Sequence, residues 1–325
     1  MPDPERSCLI VGAGISGLLA ANILKKHDIQ TTILEKSRGV GGRMATRRIG
    51  GSRADHGAQY FTVRHNIFGG WVESWENQGL VKEWFRRFPE ESSEVGHTRF
   101  CGREGMTDVP KYLAEGLDIR LETKVSKIQY KDSHWYAHSE GGEVFDAKFL
   151  LLTAPAPQSL LLLKESNIVL RRQKLDALQA IRYEPTLTVM AVLDGPSGIS
   201  EPGAHKIHEE PLSWIADNQR KGVSGDVPIL TIHSTHNFAR EHYDEDREVT
   251  GRQLLEAARP HFESEVVEFQ CHGWKYALPY SPFESHYFLS RRHALMMAGD
   301  AFGGGRVESA ALSGIEAAAH LVDFF

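Results

Sequence analysis

The sequence predicts an α/β fold of mixed α+β character: a parallel-sheet domain interrupted by an inserted domain with a mixed or antiparallel sheet. Three observations predict it. Residues 8–11 and 31–34 are strand-like and flank Ile15, Leu18, Leu19 and Ile23 at helical spacing, a strand–helix–strand opening. Leu187, Val189, Ala191 and Leu193 alternate as on a half-buried strand, and 212–216, 229–234 and 266–276 read alike, so the middle third predicts an antiparallel sheet. No repeat or low-complexity linker separates the two patterns, so the second domain is inserted into the first rather than strung after it.

Along the chain, Phe68, Trp71, Val72 and Trp75 repeat with helical period, and 119–121, 135–137 and 149–152 are short strand-like runs. Leu254, Leu255, Ala258 and Phe262 predict a helix before the last middle strand. Ala311, Leu312, Ile315, Ala319 and Val322 predict a closing one. The expected seams give one discontinuous domain over 1–64, 98–160 and 285–325, and a second over 65–97 and 161–284.

At 325 residues, with 41% hydrophobic and 25% charged residues, the composition is that of a globular enzyme-sized chain. A net charge of -6 with scattered arginines gives no basic field for a phosphate backbone, which argues against nucleic acid. Cys8, Cys101 and Cys271 are odd in number and far apart, which fits a reducing, cytoplasmic setting. Strand-like residues so near the N-terminus leave no room for an export leader. The most apolar stretch, 149–163, is broken by Pro155 and Pro157 and is shorter than the roughly 20 residues that span a bilayer, so no membrane is expected. No obligatory protein partner is evident.

Gly12, Gly14 and Gly17 form G-x-G-x-x-G directly after a strand and at the start of a helix. Such glycines permit a tight turn and close approach of a pyrophosphate to the helix N-terminus. Ala13, Ile15 and Ser16 complete the loop, and Glu35, followed by Lys36, ends the second strand where a carboxylate accepts from ribose hydroxyls. A Rossmann-type domain for an ADP-containing cofactor follows.

Arg38, Gly39, Gly41, Gly42 and Arg43 extend this fingerprint as R-G-x-G-G-R, which resembles the amine-oxidase-like flavoproteins and selects FAD over NAD. Gly299 and Asp300, with the loop 303–305 leading to the last helix, resemble the second flavin-binding segment of that superfamily. A simple helix cap is the other reading of Asp300. The segments Asp55-His56-Gly57-Ala58-Gln59-Tyr60-Phe61-Thr62, Leu230-Thr231-Ile232-His233-Ser234-Thr235, Gly273-Trp274-Lys275-Tyr276 and Arg306-Val307-Glu308-Ser309-Ala310 narrow the resemblance to renalase-like flavoproteins over nearly the full length.

The resemblance implies FAD contacts at Ser16, Gly42, Arg43, Ala58, Gln59, Tyr60, Val125, Val307, Glu308 and Ala310. Val125 reads equally as a core residue. It also implies oxidation of isomeric (2- or 6-) dihydro-NAD(P) with O2 as acceptor, giving NAD(P)+ and H2O2. Hydride transfer between stacked rings asks mainly for positioning. Gln59, Tyr60, His233, Trp274 and Lys275 are the candidates around the substrate, in a cavity expected between the domains. A regular strand points Trp274 and Lys275 to opposite faces, so one of them is structural unless a bulge intervenes. His233 reads equally as a hydrogen-bonded buried histidine. Histidine pairs such as His134 and His138 lack further ligands, so no metal is expected. No cysteine lies near the C-terminal flavin segment, so FAD is expected to be non-covalent. A flavin amine oxidase acting on a small amine and a non-catalytic flavin-binding sensor or scaffold are the alternatives.

Overall fold

The computed structural model describes residues 5–88 and 96–325, and the expected spans 1–64 and 65–97 each run partly outside them. The chain forms two compact units, one of residues 1–42, 110–182 and 279–325, the other of 43–109 and 183–278.

The first unit is built on a six-stranded sheet in the order Phe288–Ser290, Leu295–Met297, Phe149–Leu152, Ser7–Val11, Gln30–Leu34, Asp118–Arg120. All neighbours run parallel except the first pair. Buried parallel strands read as continuous apolar runs, which is why Phe149–Leu152 is apolar throughout and buried at every residue. The helices Ile15–Lys26 and Val307–Phe324 pack on each other. Gly314 makes this possible, since a Cβ there would stand 2.2 Å from the Ser16 carbonyl oxygen. A separate three-stranded antiparallel sheet spans 125–147. The apolar stretch 149–163 divides into that buried strand and the helix Ala156–Glu165, with Pro157 in its first turn, where its missing N–H costs nothing.

The second unit centres on a five-stranded sheet in the order Ala204–Lys206, Leu212–Asp217, Ile229–Ser234, Arg182–Leu193, Val266–Ser281. The first four strands of this order pair antiparallel. Leu187, Val189, Ala191, Leu230 and Ile232 face a core that includes Leu254 and Ala258 of the helix Arg247–Ala258. Met190, Val192 and Ile229 face the other way, onto Ile49 and Ala54 of the hairpin Thr46–Ile49 and Ser52–Asp55.

The seams therefore fall at 42/43, 109/110, 182/183 and 278/279 rather than at the expected 64, 98, 160 and 285. That hairpin accounts for the first: Ile49 and Ala54 bury themselves on the antiparallel sheet, so residues 43–64 belong to the second unit. The helix Asn66–Asn77 matches its periodic pattern. The closing helix Val307–Phe324 forms as expected but buries Ala317, Ala318 and Leu321 in place of Ala319, which is exposed, and Val322, which is half-buried. The helix expected to reach Phe262 ends at Ala258, followed by a 3-10 turn holding Pro260. No helix among the described residues is long and apolar enough to cross a membrane.

Candidate active site

In the first unit the strand Ser7–Val11 runs into Gly12 at φ +114°, a conformation that side chains disfavour. A Cβ at Gly17 would lie 2.2 Å from the Gly12 carbonyl oxygen, whereas one at Gly14 would meet nothing within 4 Å. The turn is closed on its inner side and open outside. Gly14 caps the helix without a side-chain hydrogen bond, so the first-turn N–H groups of Ile15, Ser16 and Gly17 have no partner within the helix. Ser16 Oγ is buried and has no hydrogen-bond partner. Thr153, which no motif flagged, braces the turn by donating to the carbonyls of Val11 and Gly12, both at 3.0 Å.

Glu35 is buried, and each carboxylate oxygen accepts one backbone N–H at 2.8 Å, Oε2 from Ala13 and Oε1 from Ser37. A carboxylate with two bonds keeps capacity for two more. Lys36 is exposed and reaches Gln158. The chain leading to Val125 is tied to this corner, with Glu122 and Thr123 donating to the carbonyls of Ser37 and Glu35. Val125 begins a strand at an irregularity, where ladder groups are released. At the C-terminal end Gly299 has φ +132° and its N–H donates to Ser313 Oγ at 2.8 Å. Asp300 and Glu308 are buried and engaged. The helix holding Val307, Glu308 and Ala310 starts without a side-chain cap.

In the second unit residues 55–60 form a tight polar turn. Gly57 lets it approach Arg43, whose carbonyl oxygen would lie 2.1 Å from a Cβ, and the Ala58 N–H donates to that oxygen at 2.8 Å. Arg43 donates to the Tyr276 carbonyl at 2.9 Å. Gln59 Nε2 donates to the Asp55 carbonyl at 2.8 Å, while its Oε1 is buried without a partner. Tyr60 packs with Phe85 and Trp214. Beneath the turn, Asp55 and Lys221 form a fully buried ion pair at 2.7 Å.

Trp274 Nε1 donates to the His56 carbonyl at 2.8 Å, and its ring lies 4.9 Å from that of His56 and 4.5 Å from that of His272. Phe269 and Cys271 pack on the helix side of the sheet, so by alternation Lys275 points to that side, where it is exposed, and Trp274 to the opposite one. The structure thus gathers His56, Gln59 and Trp274 and sets Lys275 apart. His233 Nε2 is buried and meets no protein hydrogen-bond partner. Burial, then His272 and Arg47, holds His56 down at a pKa of about 4; burial, then His56, holds His233 at about 3. His272 is also held to about 4, by burial and then Arg47. All three are neutral imidazoles at pH 7. His272, which packs against His56 and Trp274, was missed because an isolated His on a strand carries no local signal.

Residues 65–322 match the family of flavin containing amine oxidoreductases. The chain belongs to that family. Residues 10–66 match the NAD(P)-binding Rossmann-like domain. Renalase from Mus musculus is 26% identical over 292 residues, 83% of this chain and 84% of the relative. Among solved structures, a candidate protoporphyrinogen oxidase from Exiguobacterium sp. 255-15 aligns with a TM-score of 0.76 at 14% identity, covering 98% of this chain and 99% of that one. Putrescine oxidase aligns at 0.72 and 16%, with the same coverages. A fatty acid isomerase from P. acnes aligns at 0.71 and 12%, also with those coverages, so the fold serves more than one reaction. The protein is an FAD-dependent oxidoreductase of the flavin amine oxidase family. The first unit's residues fit the cofactor: the open first-turn N–H groups and the unpartnered Ser16 hydroxyl suit a diphosphate, and the spare capacity of Glu35 suits ribose hydroxyls.

Proposed function

We propose that the protein is a renalase-like oxidase that takes hydride from 2- or 6-dihydro-NAD(P) and delivers the electrons to O2. The balance is one dihydronicotinamide, one proton and one O2 giving NAD(P)+ and H2O2. The observation that carries this reading over an amine substrate is the charge state of the polar face in the second unit. His56, His233 and His272 are neutral. Among the described residues the buried carboxylates of this unit are already held: Asp55 by Lys221, and Asp217 by the Ser197 hydroxyl and the N–H groups of Gln219 and Arg220. An ammonium entering such surroundings would be desolvated with no compensating anion, whereas a neutral dihydropyridine would not.

Bound FAD supplies the two-electron acceptor. On this reading Gly12 to Gly17 hold the diphosphate, Glu35 the adenosine ribose, and Val125 the adenine through its backbone. Arg43, Ala58, Gln59 and Tyr60 contact the flavin half, Asp300 addresses the ribityl chain, and the helix from Val307 turns its positive end to the pyrimidine. Trp274 bounds the substrate, fixed by its bond to the His56 carbonyl, and Lys275 has no part in catalysis. The attachment is non-covalent: burial pushes the Cys8, Cys101 and Cys271 thiols above their usual range, away from the nucleophilic thiolate. The three free thiols agree with a cytoplasmic setting.

Anaerobic stopped-flow mixing tests the reading. Rapid bleaching of the flavin by isomeric dihydronicotinamides, with no bleaching by small amines, is expected. Brisk reduction by an amine and none by the isomers would overturn it.

A further inference from the structure

The C-terminal glycine-rich segment of the first unit bends through three glycines at positive φ, Gly299 at +132°, Gly303 at +88° and Gly304 at +122°. Glycine loses more conformational freedom on ordering than any other residue, so a loop built this way keeps one shape only where neighbours fix it. Those neighbours come from residues 282–287, between the strands Val266–Ser281 and Phe288–Ser290. Phe283 holds the loop by its backbone: its N–H donates to the Ala301 carbonyl at 2.6 Å, and its carbonyl accepts from the Gly303 N–H at 3.3 Å.

His286 holds the same loop from the other side. Its imidazole fills the place of a side chain on Gly303, where a Cβ would stand 2.4 Å from Cδ2 and 2.9 Å from Nε2. Its carbonyl accepts from Ser313 Oγ at 2.5 Å, and that oxygen accepts the Gly299 N–H at 2.8 Å. Its Nδ1 bonds to Glu316, one turn beyond Ser313 on the closing helix. An ionised carboxylate only accepts, so Nδ1 carries the proton, and the ring spans from the helix at one edge to the loop at the other. All of these residues belong to the first unit. We propose that His286 is a positioning residue of the second flavin-binding segment: held by Glu316, its ring locks Gly303, and with it the loop 299–304, to the closing helix. This rests on the function proposed above in one respect, that the loop faces the flavin half of FAD.

The energetics distinguish this role from general stabilisation. The pair lines an open cleft with Glu284, Ser285 and Tyr287, and its side chains are 33% and 38% exposed. Ion pairs so exposed add little to global stability, so losing this one is felt in the loop it holds rather than in the whole fold. The test reads FAD release from the yellow holoprotein by the rise in flavin fluorescence, beside the urea midpoint of the stripped protein. His286→Phe keeps a ring against Gly303 but has no donor for Glu316, and Glu316→Leu removes the acceptor. Each should speed release about 3- to 10-fold, the worth of one hydrogen bond, with the midpoint nearly fixed. The double variant should release no faster than the faster single one, because both changes break the same link. Glu316→Gln keeps an acceptor for Nδ1 and should restore slow release. Unchanged release in both single variants, additive effects in the double one, or a midpoint that falls in step with release would each overturn the proposal. Hydrogen exchange of peptides covering 299–306 separates the lock from the reading beneath it: FAD should slow exchange there, and His286→Phe should quicken it with and without FAD. Protection by FAD that His286→Phe leaves untouched would overturn the lock and keep the cofactor reading. Quickened exchange in a loop that FAD does not protect would keep the lock and overturn the cofactor reading of the loop.

Discussion

Asp55 shows how one residue organises a site it does not chemically serve. Its Oδ1 accepts from Thr46 Oγ1 at 2.5 Å and the Met106 N–H at 2.8 Å, and its Oδ2 accepts from Lys221. Its carbonyl accepts from Gln59 and Thr231, and its N–H donates to Asn218. The turn 55–60 is thus hung from a carboxylate whose charge is balanced by a single ammonium, itself 4.8 Å above the Trp84 ring. Removing one member of a fully buried pair leaves the other uncompensated, which costs more than the pair contributes. Lys221→Met should therefore lower stability by roughly 3–5 kcal/mol in chemical denaturation, and the double change with Asp55→Asn by clearly less. Equal losses in both would show that the pair is not coupled. Asp55 was legible as part of a motif, but Lys221 was not. It lies in a polar stretch that reads as solvent-exposed, and its partner is 166 residues away, a relation no local pattern contains.

At the scale of elements, the sequence was most readable where periodicity and burial agree. The opening strand–helix–strand and the buried strand Phe149–Leu152 follow the patterns of their residues, whereas Arg182–Leu193, expected to be half-buried, is buried on both faces from Thr186 onward. The hairpin of Thr46–Ile49 and Ser52–Asp55 was not readable, because Arg47, Arg48 and Arg53 mask its short apolar set of Ile49 and Ala54. Missing it displaced the first expected seam. Helix against helix, the crossing of Ile15–Lys26 with Val307–Phe324 depends on Gly314, where a side chain would strike the Ser16 backbone rather than a yielding side-chain tip. Gly314→Ala must force the helices apart, an overpacking cost of about 1–3 kcal/mol. The shift displaces Ser16, so FAD retention on gel filtration should fall as well. Stability lowered with unchanged retention would separate the crossing from the cofactor turn.

For the molecule as a whole, burial of neutral histidines and binding of FAD set the conditions under which the fold persists. His56 and His233 have native pKa values of about 4 and about 3, below the ordinary 6.5, so between those limits the unfolded chain binds more protons than the folded one. Their contribution is complete above pH 6.5 and is lost as the pH falls toward the native values. At about 1.4 kcal/mol per pH unit for each, the pair should lower stability by roughly 2 kcal/mol between pH 6 and pH 5, read as a falling midpoint in urea titrations; a flat midpoint there would contradict the burial argument. FAD acts in the opposite direction, because its proposed binding turns exist only in the folded chain. A ligand bound by the folded state alone stabilises by RT ln(1 + [L]/Kd), about 2.7 kcal/mol at a hundredfold excess over Kd. The melting temperature of stripped protein should therefore climb continuously with added FAD. Because no thiol of the chain is poised to form a flavin bond, denatured holoprotein should release all of its yellow colour through a filter. Colour retained on the polypeptide would show a covalent bond, and a melting temperature indifferent to FAD would show that the glycine turns at the two ends of the sequence do not hold it.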